Sequence, residues 1–245
     1  MKKKLIRVTT ADISLNSLLK GQLMFLNQYF EVIGVAKDTG VLKEISEREG
    51  IRVVDAPLER PISLVKDIKG LWFLYRLFRK EKPWCVHANT PKGSLLAMIA
   101  AWFAGVPHRV YLVTGLRYQG THGVLRMILK TMERLSCLFA TNVIPEGQGV
   151  LHALQEDCIT KKPLQVIWNG NINGIDTEFF LPVENTNDKS DTFTFVFIGR
   201  MVKDKGIHEL TECMRQLNCR LILVGTFEEE DAVSESDKEF LTTSD

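Results

Sequence analysis

Two basic residues, Arg200 and Lys205, stand in a short turn between a β-rich run and a helical pattern. The turn follows Gly199 within Phe-Ile-Gly-Arg-Met-Val-Lys-Asp-Lys-Gly at residues 197–206. A guanidinium binds phosphate oxygens through two parallel hydrogen bonds, an ammonium adds a point charge, and a helix N-terminus adds its dipole. At the end of a predicted strand, where glycine admits close approach, this spacing favours diphosphate binding. A solvated basic turn is the alternative.

A second group of polar residues surrounds the end of another predicted strand. His87 ends that strand, and Thr90 and Lys92 flank the start of the following helix. Strand ends and helix N-termini are places where α/β proteins bind ligands, and anions in particular. We therefore expect these three side chains to contact a ligand. The alternatives are a core histidine bonded to backbone and a solvated lysine.

The elements that must position these residues alternate regularly along the first part of the chain. Short apolar runs predict strands, and apolar residues at helical spacing predict helices. The predicted strands are 5–9, 31–36, 51–55, 84–88, 109–113, 140–144 and 164–167. The predicted helices are 15–28, 40–49, 63–81, 91–104, 122–138 and 146–155. This alternation predicts an α/β fold with a parallel sheet and helices on both faces.

A polar stretch at residues 183–191 interrupts this alternation and predicts a linker between two domains. Residues 1–183 then form the first domain, and residues 192–245 belong to the second. The second part is short for a self-sufficient domain, so we expect it to be incomplete in this chain.

The second part repeats the strand–helix–strand pattern once. Residues 193–198 and 220–224 are predicted strands, and residues 204–217 are a predicted helix. The acidic residues 228–245, rich in Ser and Thr, are expected to lack regular structure.

Charge is distributed unevenly along the chain. Residues 1–182 hold 24 Lys and Arg against 16 Asp and Glu, whereas residues 183–245 hold 7 against 14. Residues 60–134 alone hold 13 basic and 3 acidic residues. Such a basic region is typical of a surface that meets phosphates or an anionic membrane, although a merely solvated face is the alternative.

One predicted helix, 122–138, is both basic and amphipathic. Its basic residues recur at i, i+4 and i+8 and are Arg126, Lys130 and Arg134. Its apolar face is expected to comprise Val124, Ile128, Met132 and Leu135. A helix of this kind can lie against an anionic membrane.

Composition excludes several classes of protein. Five cysteines form no CxxC pair and five histidines are dispersed, so neither a zinc site nor a disulfide framework is indicated. No GxGxxG follows a strand, which argues against a nicotinamide enzyme. Aromatic and basic residues do not interleave, so nucleic acid is not an expected partner. The N-terminus has no signal-peptide pattern and the apolar run 95–106 is too short to span a bilayer, which favours the cytoplasm.

The motifs closely resemble those of retaining family-4 glycosyltransferases with the GT-B fold. Residues 197–210, Phe-Ile-Gly-Arg-x-x-x-Asp-Lys-Gly-x-x-Glu-Leu, resemble the strand–turn–helix that opens the C-terminal domain of that family. Similar resemblances hold for Val-His-Ala-Asn-Thr-Pro-Lys-Gly at 86–93, for 113–118, and for the Asn-Gly-rich 168–179. The resemblance implies two Rossmann-like domains with mostly parallel sheets that face a cleft, the second incomplete here.

The resemblance also implies roles for individual residues. Arg200 and Lys205 would neutralise the leaving nucleoside diphosphate without a metal. Donor-binding positions would be Gly199, Arg200, Lys205, Asn169 and Gly170. Positions at the acceptor or cleft would be His87, Thr90, Lys92, Thr114, Gly115 and Arg117. The chain departs from the family at Thr114, where many relatives carry histidine.

The implied activity is transfer of a hexose, with retention, from a UDP- or GDP-sugar to a glycan or lipid-diphosphate-linked acceptor. Surface polysaccharide biosynthesis at the inner face of the cell membrane would be the setting, with an anionic membrane surface as a partner and no cofactor. The family's glutamate-containing donor segment would follow residue 245, so we expect this chain alone to be inactive. A sugar-nucleotide epimerase of the same architecture and a non-catalytic nucleotide- or sugar-binding module are the alternatives.

Overall fold

The first strand, β1 (Lys4–Ala11), is buried on both of its faces. Ile6 and Val8 point into one hydrophobic core, whereas Leu5 belongs to a second core on the opposite face. Burial on both faces is characteristic of a strand inside a parallel sheet that helices cover on either side.

The computed structural model describes residues 2–59, 63–181, 192–229 and 231–243. These divide into two units, residues 1–179 and 180–245. The predicted linker, residues 183–191, lies outside the described residues, and so does the predicted boundary of the first domain at 183.

The first unit contains a six-stranded parallel sheet. The other strands are β2 (Glu31–Lys37), β3 (Arg52–Asp55), β4 (Cys85–Ala88), β5 (His108–Val113) and β6 (Asn142–Pro145). The strand order is β3-β2-β1-β4-β5-β6, and every neighbouring pair is parallel. This is the order of a doubly wound Rossmann-like sheet, whose topological switch point lies between β1 and β4. The predicted α/β fold is confirmed.

Helices cover both faces of this sheet. They are α1 (Gln22–Asn27), α2 (Leu42–Glu49), α3 (Leu64–Glu81), α4 (Pro91–Phe103), α5 (Gly123–Phe139) and α6 (Gln148–Glu156). α3, α4 and α5 contribute Leu74, Ala97 and Leu129 to one core, whereas Leu23 of α1 and Ile45 of α2 belong to the other. Apart from two segments, the predicted elements of this unit begin and end within two residues of the observed ones.

The first of these segments is the predicted helix 15–28, which is broken. A π-helical turn (Ser14–Leu18) and α1 replace it, with Gly21 between them at φ +76°. The buried carboxylate of Glu49 accepts hydrogen bonds from the backbone N–H groups of Gly21 (2.9 Å) and Met24 (3.0 Å). This carboxylate satisfies donors that a helix start leaves open, so α1 begins there rather than continuing the preceding turn.

The second is the predicted strand 164–167, which is wrong. The segment forms no strand, and β6 pairs only with β5 in the described sheet. Leu164 packs against the core while Gln165 and Ile167 are exposed. Alternating apolar residues favour an extended chain, but a strand also requires a neighbour for its backbone hydrogen bonds.

α5 turns only part of its predicted apolar face toward the core, where Met132 packs. Its buried residues are Leu129, Glu133, Ser136 and Cys137. Val124 and Ile128, which belong to the same predicted face, are 69% and 47% exposed. The polar Glu133 can lie inside because the Tyr111 hydroxyl donates a 2.6 Å hydrogen bond to its Oε2. The N-terminal half of α5 therefore presents apolar side chains to solvent.

The second unit contains a two-stranded parallel sheet of β7 (Thr194–Ile198) and β8 (Arg220–Val224). A 3₁₀ turn (Lys203–Lys205) and α7 (Ile207–Gln216) connect the strands, as predicted. Met201, Ile207 and Val233 form a small core.

The expectation that residues 228–245 lack regular structure is wrong for part of that segment. Glu235–Thr243 forms α8. Ser234 stands before this helix, where its Oγ accepts a hydrogen bond from the backbone N–H of Asp237 (3.2 Å) and donates one to the Asp237 carboxylate (2.6 Å). This capping by the Ser234 hydroxyl satisfies one backbone N–H of the helix start, which acidic composition alone does not reveal.

Candidate functional site

Arg7 and His87 lie directly opposite each other in the register between β1 and β4. This pair of strands flanks the topological switch point of the sheet. In open α/β sheets, ligands bind outside the carboxyl ends of the strands at this point. The fold therefore places the predicted residue His87, together with Arg7, where a ligand is expected.

The electrostatics of this pair are unusual. The Arg7 side chain is fully buried, and among the described residues its Nε and Nη1 have no hydrogen-bond partner. Burial lowers the pKa of Arg7 to about 9, so the guanidinium remains charged at neutral pH. Burial, and secondarily the Arg7 charge, hold the pKa of His87 well below its usual value. His87 is therefore a neutral imidazole, and its buried Nε2 is also without a partner in the described part of the chain.

Thr90 connects the end of β1 to the start of α4. Its Oγ1 accepts a hydrogen bond from the backbone N–H of Thr10 (3.1 Å) and lies 2.9 Å from the Thr10 Oγ1. A Cβ placed on Gly93 would lie 2.5 Å from the Thr90 Oγ1. Only glycine fits at 93 without a shift, so the two elements meet at close range beside the switch point.

Lys92, in the first turn of α4, forms an ion pair with a residue of α3. Its Nζ lies 2.5 Å from Oδ1 of Asp67 on α3, and its side chain is 8% exposed. The geometry gives Lys92 a partner within the fold, while its predicted contact with an acceptor stays a prediction.

Thr114 follows the end of β5, next to the strand that carries His87. Its hydroxyl donates a 3.0 Å hydrogen bond to the backbone carbonyl of Asn89. Gly115 is half-buried beside it, whereas Arg117 is exposed in a short 3₁₀ turn (Arg117–Gly120). The Asn89 side chain is buried, and both polar atoms of its amide lack partners among the described residues.

The predicted Asn-Gly-rich loop packs against the end of β6. The Glu146 backbone carbonyl accepts a 2.8 Å hydrogen bond from the N–H of Asn171, and its Oε1 accepts one from the N–H of Ile172 at 3.2 Å. Gly170 has φ +85°, and a Cβ there would overlap the Glu146 carbonyl oxygen. Glycine is therefore required at 170 by both conformation and space. Asn169 is exposed.

A cavity of about 880 Å³ lies between this loop, residues 20–26 around the start of α1, and His87 near the end of β4. Its polar lining includes Lys20, Gln22, His87, Asn171, Asn173 and Asp176. A neighbouring cavity of about 290 Å³ shares Gln22 and His87 and adds Glu146 and Gly170. The structure thus brings His87 and Gly170, 83 residues apart in the sequence, to one site.

In the second unit, Gly199 and Arg200 follow directly after β7. The Gly199 N–H donates to the Val224 carbonyl at 3.0 Å, and a Cβ on Gly225 would overlap the Gly199 carbonyl. Arg200 is half-exposed, and its Nη1 donates a 3.0 Å hydrogen bond to Oε2 of Glu228. The guanidinium is therefore accessible and oriented by a carboxylate.

Lys205 lies at the end of the 3₁₀ turn that leads into α7. Asp231 holds the turn, because its carboxylate and carbonyl accept hydrogen bonds from the N–H groups of Asp204 (2.8 Å) and Lys203 (3.1 Å). Lys205 itself is exposed. Arg200 and Lys205 thus flank one turn between β7 and α7, as the motif predicts.

A profile of the Glycosyl transferase 4-like family matches residues 18–146. The chain belongs to this family. Sequence similarity between the chain and two curated glycosyltransferases agrees with this assignment. It is 32% identical, over 252 aligned positions, to the capsular polysaccharide biosynthesis glycosyltransferase CapM of Staphylococcus aureus, covering 98% of this chain and 66% of that protein. It is 30% identical to the UDP-Gal:alpha-D-GlcNAc-diphosphoundecaprenol alpha-1,3-galactosyltransferase of Escherichia coli, covering 84% of this chain and 57% of that protein. The chain thus spans about two thirds or less of each relative.

The fold of this glycosyl transferase 4-like chain is also found in a solved structure, HepE of Anabaena in complex with UDP. The two share 18% identity at a TM-score of 0.69, over 99% of this chain and 66% of that one. This likeness confirms the GT-B fold.

Several residues of the glycosyl transferase 4-like site were not foreseen from the sequence. These are Arg7 within β1, Gln22 at the start of α1, and Asn89 and Glu146 directly after β4 and β6. The one sequence signal for Arg7 is a basic residue inside the apolar run Leu-Ile-Arg-Val, because arginine is rarely fully buried unless it is paired.

Two features bear on metals and membranes. Of the described residues, one group brings three potential metal ligands within 4.8 Å of one another: His208, Glu212 and Asp237. The Asp237 carboxylate in this group already accepts a hydrogen bond within the capped start of α8.

Among the helices in the described ranges, none is long and apolar enough to cross a membrane.

Proposed function

We propose that the protein is a retaining glycosyltransferase that transfers a hexose from a UDP- or GDP-sugar to a glycan or lipid-diphosphate-linked acceptor in surface polysaccharide biosynthesis. The observation that carries this proposal is the relation to two bacterial glycosyltransferases, which in one case extends over 98% of the chain. That extent includes both the strand-end site of the first unit and the Arg200 turn of the second. The same relation favours a transferase over an epimerase or a non-catalytic module.

The chemical step assigned to the second unit is stabilisation of the leaving diphosphate. Negative charge develops on the β-phosphate as the bond to the sugar breaks, and fixed cations lower the energy of that transition state. Arg200 supplies a planar donor fork and Lys205 a point charge at the same turn, beside Gly199. Since these two side chains supply positive charge, no metal ion is needed in the proposed mechanism.

In the absence of a diphosphate, Glu228 is the partner of Arg200. It holds the Arg200 guanidinium at 3.0 Å while being itself partly exposed. An exposed ion pair of this kind contributes little to stability. An arriving diphosphate, with more charge than one carboxylate, can therefore replace Glu228 at small cost.

The first unit is the proposed site for the acceptor and for part of the donor. Neutral His87 can donate or accept a hydrogen bond at a sugar hydroxyl, and the loop carrying Asn169 and Gly170 closes over the same cavity. Thr114, Gly115 and Arg117 follow the neighbouring strand β5. Thr90 and Lys92 stand at the start of α4, which follows the strand of His87. These positions complete the proposed contacts.

The proposed membrane partner is supported by the exposed half of α5. Val124, Leu125, Met127 and Ile128 are between 47% and 69% exposed, next to the exposed basic side chains Arg126 and Arg134. Apolar side chains flanked by basic ones bind the surface of an anionic bilayer. A peripheral position on the inner face of the cell membrane would bring the protein to a lipid-linked acceptor.

The experiment is a transfer assay in the protein that carries this chain, with a panel of UDP- and GDP-hexoses and a lipid-diphosphate-linked sugar. Arg200→Ala and Lys205→Ala are each expected to lower kcat by about 100-fold or more. Lys203→Ala, an exposed lysine of the same turn, is the matched control and should keep full activity. A chelator should have no effect, and the product should carry the donor's anomeric configuration.

Two outcomes would contradict the proposal. Conversion of the nucleotide-sugar to an isomer without an acceptor would establish the epimerase instead. Full activity of both variants would remove Arg200 and Lys205 from the mechanism.

A further inference from the structure

The most unusual charged group in the first unit is Arg7. It lies on the central strand at the switch point, with its side chain fully buried. Among the described residues it forms no ion pair, and its Nε and Nη1 have no hydrogen-bond partner. A buried charge of this kind is strongly unfavourable unless an opposite charge or several acceptors meet it. The fold alone therefore leaves Arg7 incompletely satisfied.

Gln22 is the link between Arg7 and the larger cavity. Its Oε1 accepts a 3.2 Å hydrogen bond from Nη2 of Arg7. Its Nε2 donates to the Ile172 carbonyl (2.9 Å) and to Oδ1 of Asn173 (3.3 Å) in the loop above. Gln22 lines both cavities, whereas Arg7 lines neither. The Gln22 amide thus covers the guanidinium on the side of the cavity.

The position of Nη2 determines what displacement of Gln22 would release. A guanidinium binds an oxyanion through two adjacent N–H groups, either Nε with Nη2 or Nη1 with Nη2. Nη2 belongs to both edges and is the atom that Gln22 occupies. Moving one neutral side chain therefore frees Nη2 for a two-pronged contact, since Nε and Nη1 have no partner in the described structure.

We propose that Arg7, beneath Gln22 and beside His87, forms an oxyanion subsite that binds a phosphate or carboxylate group of the sugar substrate. That the anion belongs to a sugar substrate rests on the proposed glycosyltransferase activity. The anion replaces the Gln22 amide at Nη2. His87 stands opposite Arg7 in the strand register, and its Nε2, which has no partner among the described residues, is the second contact proposed for the same ligand.

Two observations favour an oxyanion over a neutral ligand. An arginine offers only donors, so a group that offers only acceptors satisfies it best. An ionised oxygen also adds a Coulomb attraction to the guanidinium, which the neutral Gln22 amide oxygen does not supply. The exchange of Gln22 for an anion is therefore favourable although Gln22 loses its contacts to the loop.

The loop contacts have a further consequence. Because Gln22 also bonds to Ile172 and Asn173, its displacement releases one of the ties that hold the loop over the cavity. Binding of the anion and opening of this loop are therefore coupled through one side chain.

The test measures thermal stability of the full chain in inorganic phosphate, in sodium glucuronate and in sodium chloride at matched ionic strength. We expect phosphate, glucuronate or both to raise Tm above the chloride value. Arg7→Met, of similar length and without charge, should abolish this rise. Arg109→Met is the matched control, since Arg109 is also a strand arginine but donates to the Phe139 and Val106 carbonyls; its response should persist.

The two anions distinguish the source of the oxyanion. A rise with phosphate alone assigns the site to a phosphate-bearing substrate, and a rise with glucuronate alone assigns it to a carboxylated sugar. The absence of a rise with either anion, or an equal rise in Arg7→Met, would overturn the proposal.

A second measurement covers the case in which Arg7→Met does not fold. In the wild-type chain, the ¹H–¹⁵N signal of the Arg7 Nε should shift on titration with the anion that raises Tm. In Gln22→Ala the same anion should bind at least as tightly, because the amide that covers Nη2 is gone. An unmoved signal, or loss of binding in Gln22→Ala, would count against the subsite. Since these are binding readouts, their result is independent of the transfer assay.

Discussion

The Nζ of Lys92 lies 2.5 Å from Oδ1 of Asp67, and this largely buried ion pair joins the first turn of α4 to the first turn of α3. Both partners are more than four-fifths shielded from solvent. Removing one partner of such a pair leaves the other charge unpaired in a poorly hydrated place. Lys92 therefore has a structural role, which its position in the first turn of a helix does not reveal from the sequence alone.

From this pair we expect Lys92→Met and Asp67→Asn each to lower the free energy of unfolding by on the order of 2 kcal/mol. Chemical denaturation measures the loss. The exposed pair of Lys43 and Glu47 on α2 is the control, and Lys43→Met should change stability by less than about 0.5 kcal/mol. If Lys92→Met were neutral for stability, the ion pair would not matter and a ligand-binding role for Lys92 would gain weight.

Gly170 provides a test of how the loop over the cavity is held. Gly170→Ala forces a left-handed alanine and a clash with the Glu146 carbonyl, so we expect a loss on the order of 2 kcal/mol and a disturbed cavity. Gly174→Ala is the matched control, because Gly174 also has positive φ (+72°) but a Cβ there would meet nothing within 4 Å. It should lose only about 1 kcal/mol from backbone strain. Equal losses would show that contact with Glu146 is unimportant.

The buried carboxyl group of Glu133 should make the stability of the chain depend on pH. Burial raises the pKa of Glu133 from 4.5 to about 7, so the folded chain holds a proton that the unfolded chain has released between these values. The stabilisation of the folded chain by this bound proton is thus fully present below pH 4.5 and is lost as pH rises toward 7. At ~1.4 kcal/mol per pKa unit, it amounts to on the order of 3 kcal/mol.

The measurement compares the free energy of unfolding at pH 4.5 and pH 8 in the wild type and in Glu133→Gln. Glutamine keeps an acceptor for Tyr111 and cannot ionise, so the variant should gain stability relative to the wild type at the higher pH. Glu47→Gln, an exposed residue of α2, should follow the wild-type profile. Parallel profiles for the wild type and Glu133→Gln would show that Glu133 keeps an ordinary pKa.

Hydrogen exchange should distinguish the two units. Residues 84–113 contain β4, α4 and β5 inside a sheet covered on both faces, so their amides should be strongly protected. In the second unit, Val196 and Ile198 of β7 are 57% and 77% exposed, and the described part of its sheet contains two strands. We expect residues 194–198 and 220–224 to exchange clearly faster. Equal, high protection of both regions in a monomer would show that the second unit is as stable as the first.

Binding to vesicles should depend on charge. We expect the chain to cosediment with anionic vesicles but not with neutral ones, and to dissociate as salt shortens the Debye length from ~10 Å at 0.1 M to ~3 Å at 1 M. Arg126→Glu on the exposed half of α5 should weaken binding, whereas Lys43→Glu, outside the basic region, should not. Equal binding to both kinds of vesicle, or none, would contradict the membrane proposal.

The amino-acid sequence by itself determined the order and type of most elements, because apolar periodicity reports which faces must be buried. It also determined the family, through motifs such as 197–206 whose residue types are specific. It could not indicate the break at Gly21, because a carboxylate from α2 decides where α1 begins. It also could not exclude a strand at 164–167, since pairing depends on a neighbour and not on propensity.

Only the tertiary structure decided which charged residues are buried and what they meet. The sequence places Lys92 at an anion-friendly helix start but does not show that α3 brings Asp67 against it. Arg7 looks like an ordinary strand residue until β4 and Gln22 enclose it. Burial and ion pairing depend on distances between segments far apart in the chain, and local sequence carries no record of those distances. For that reason the chemistry of the strand-end site follows from the fold, whereas the basic turn at Arg200 and Lys205, whose residues are neighbours in sequence, could be recognised from the chain alone.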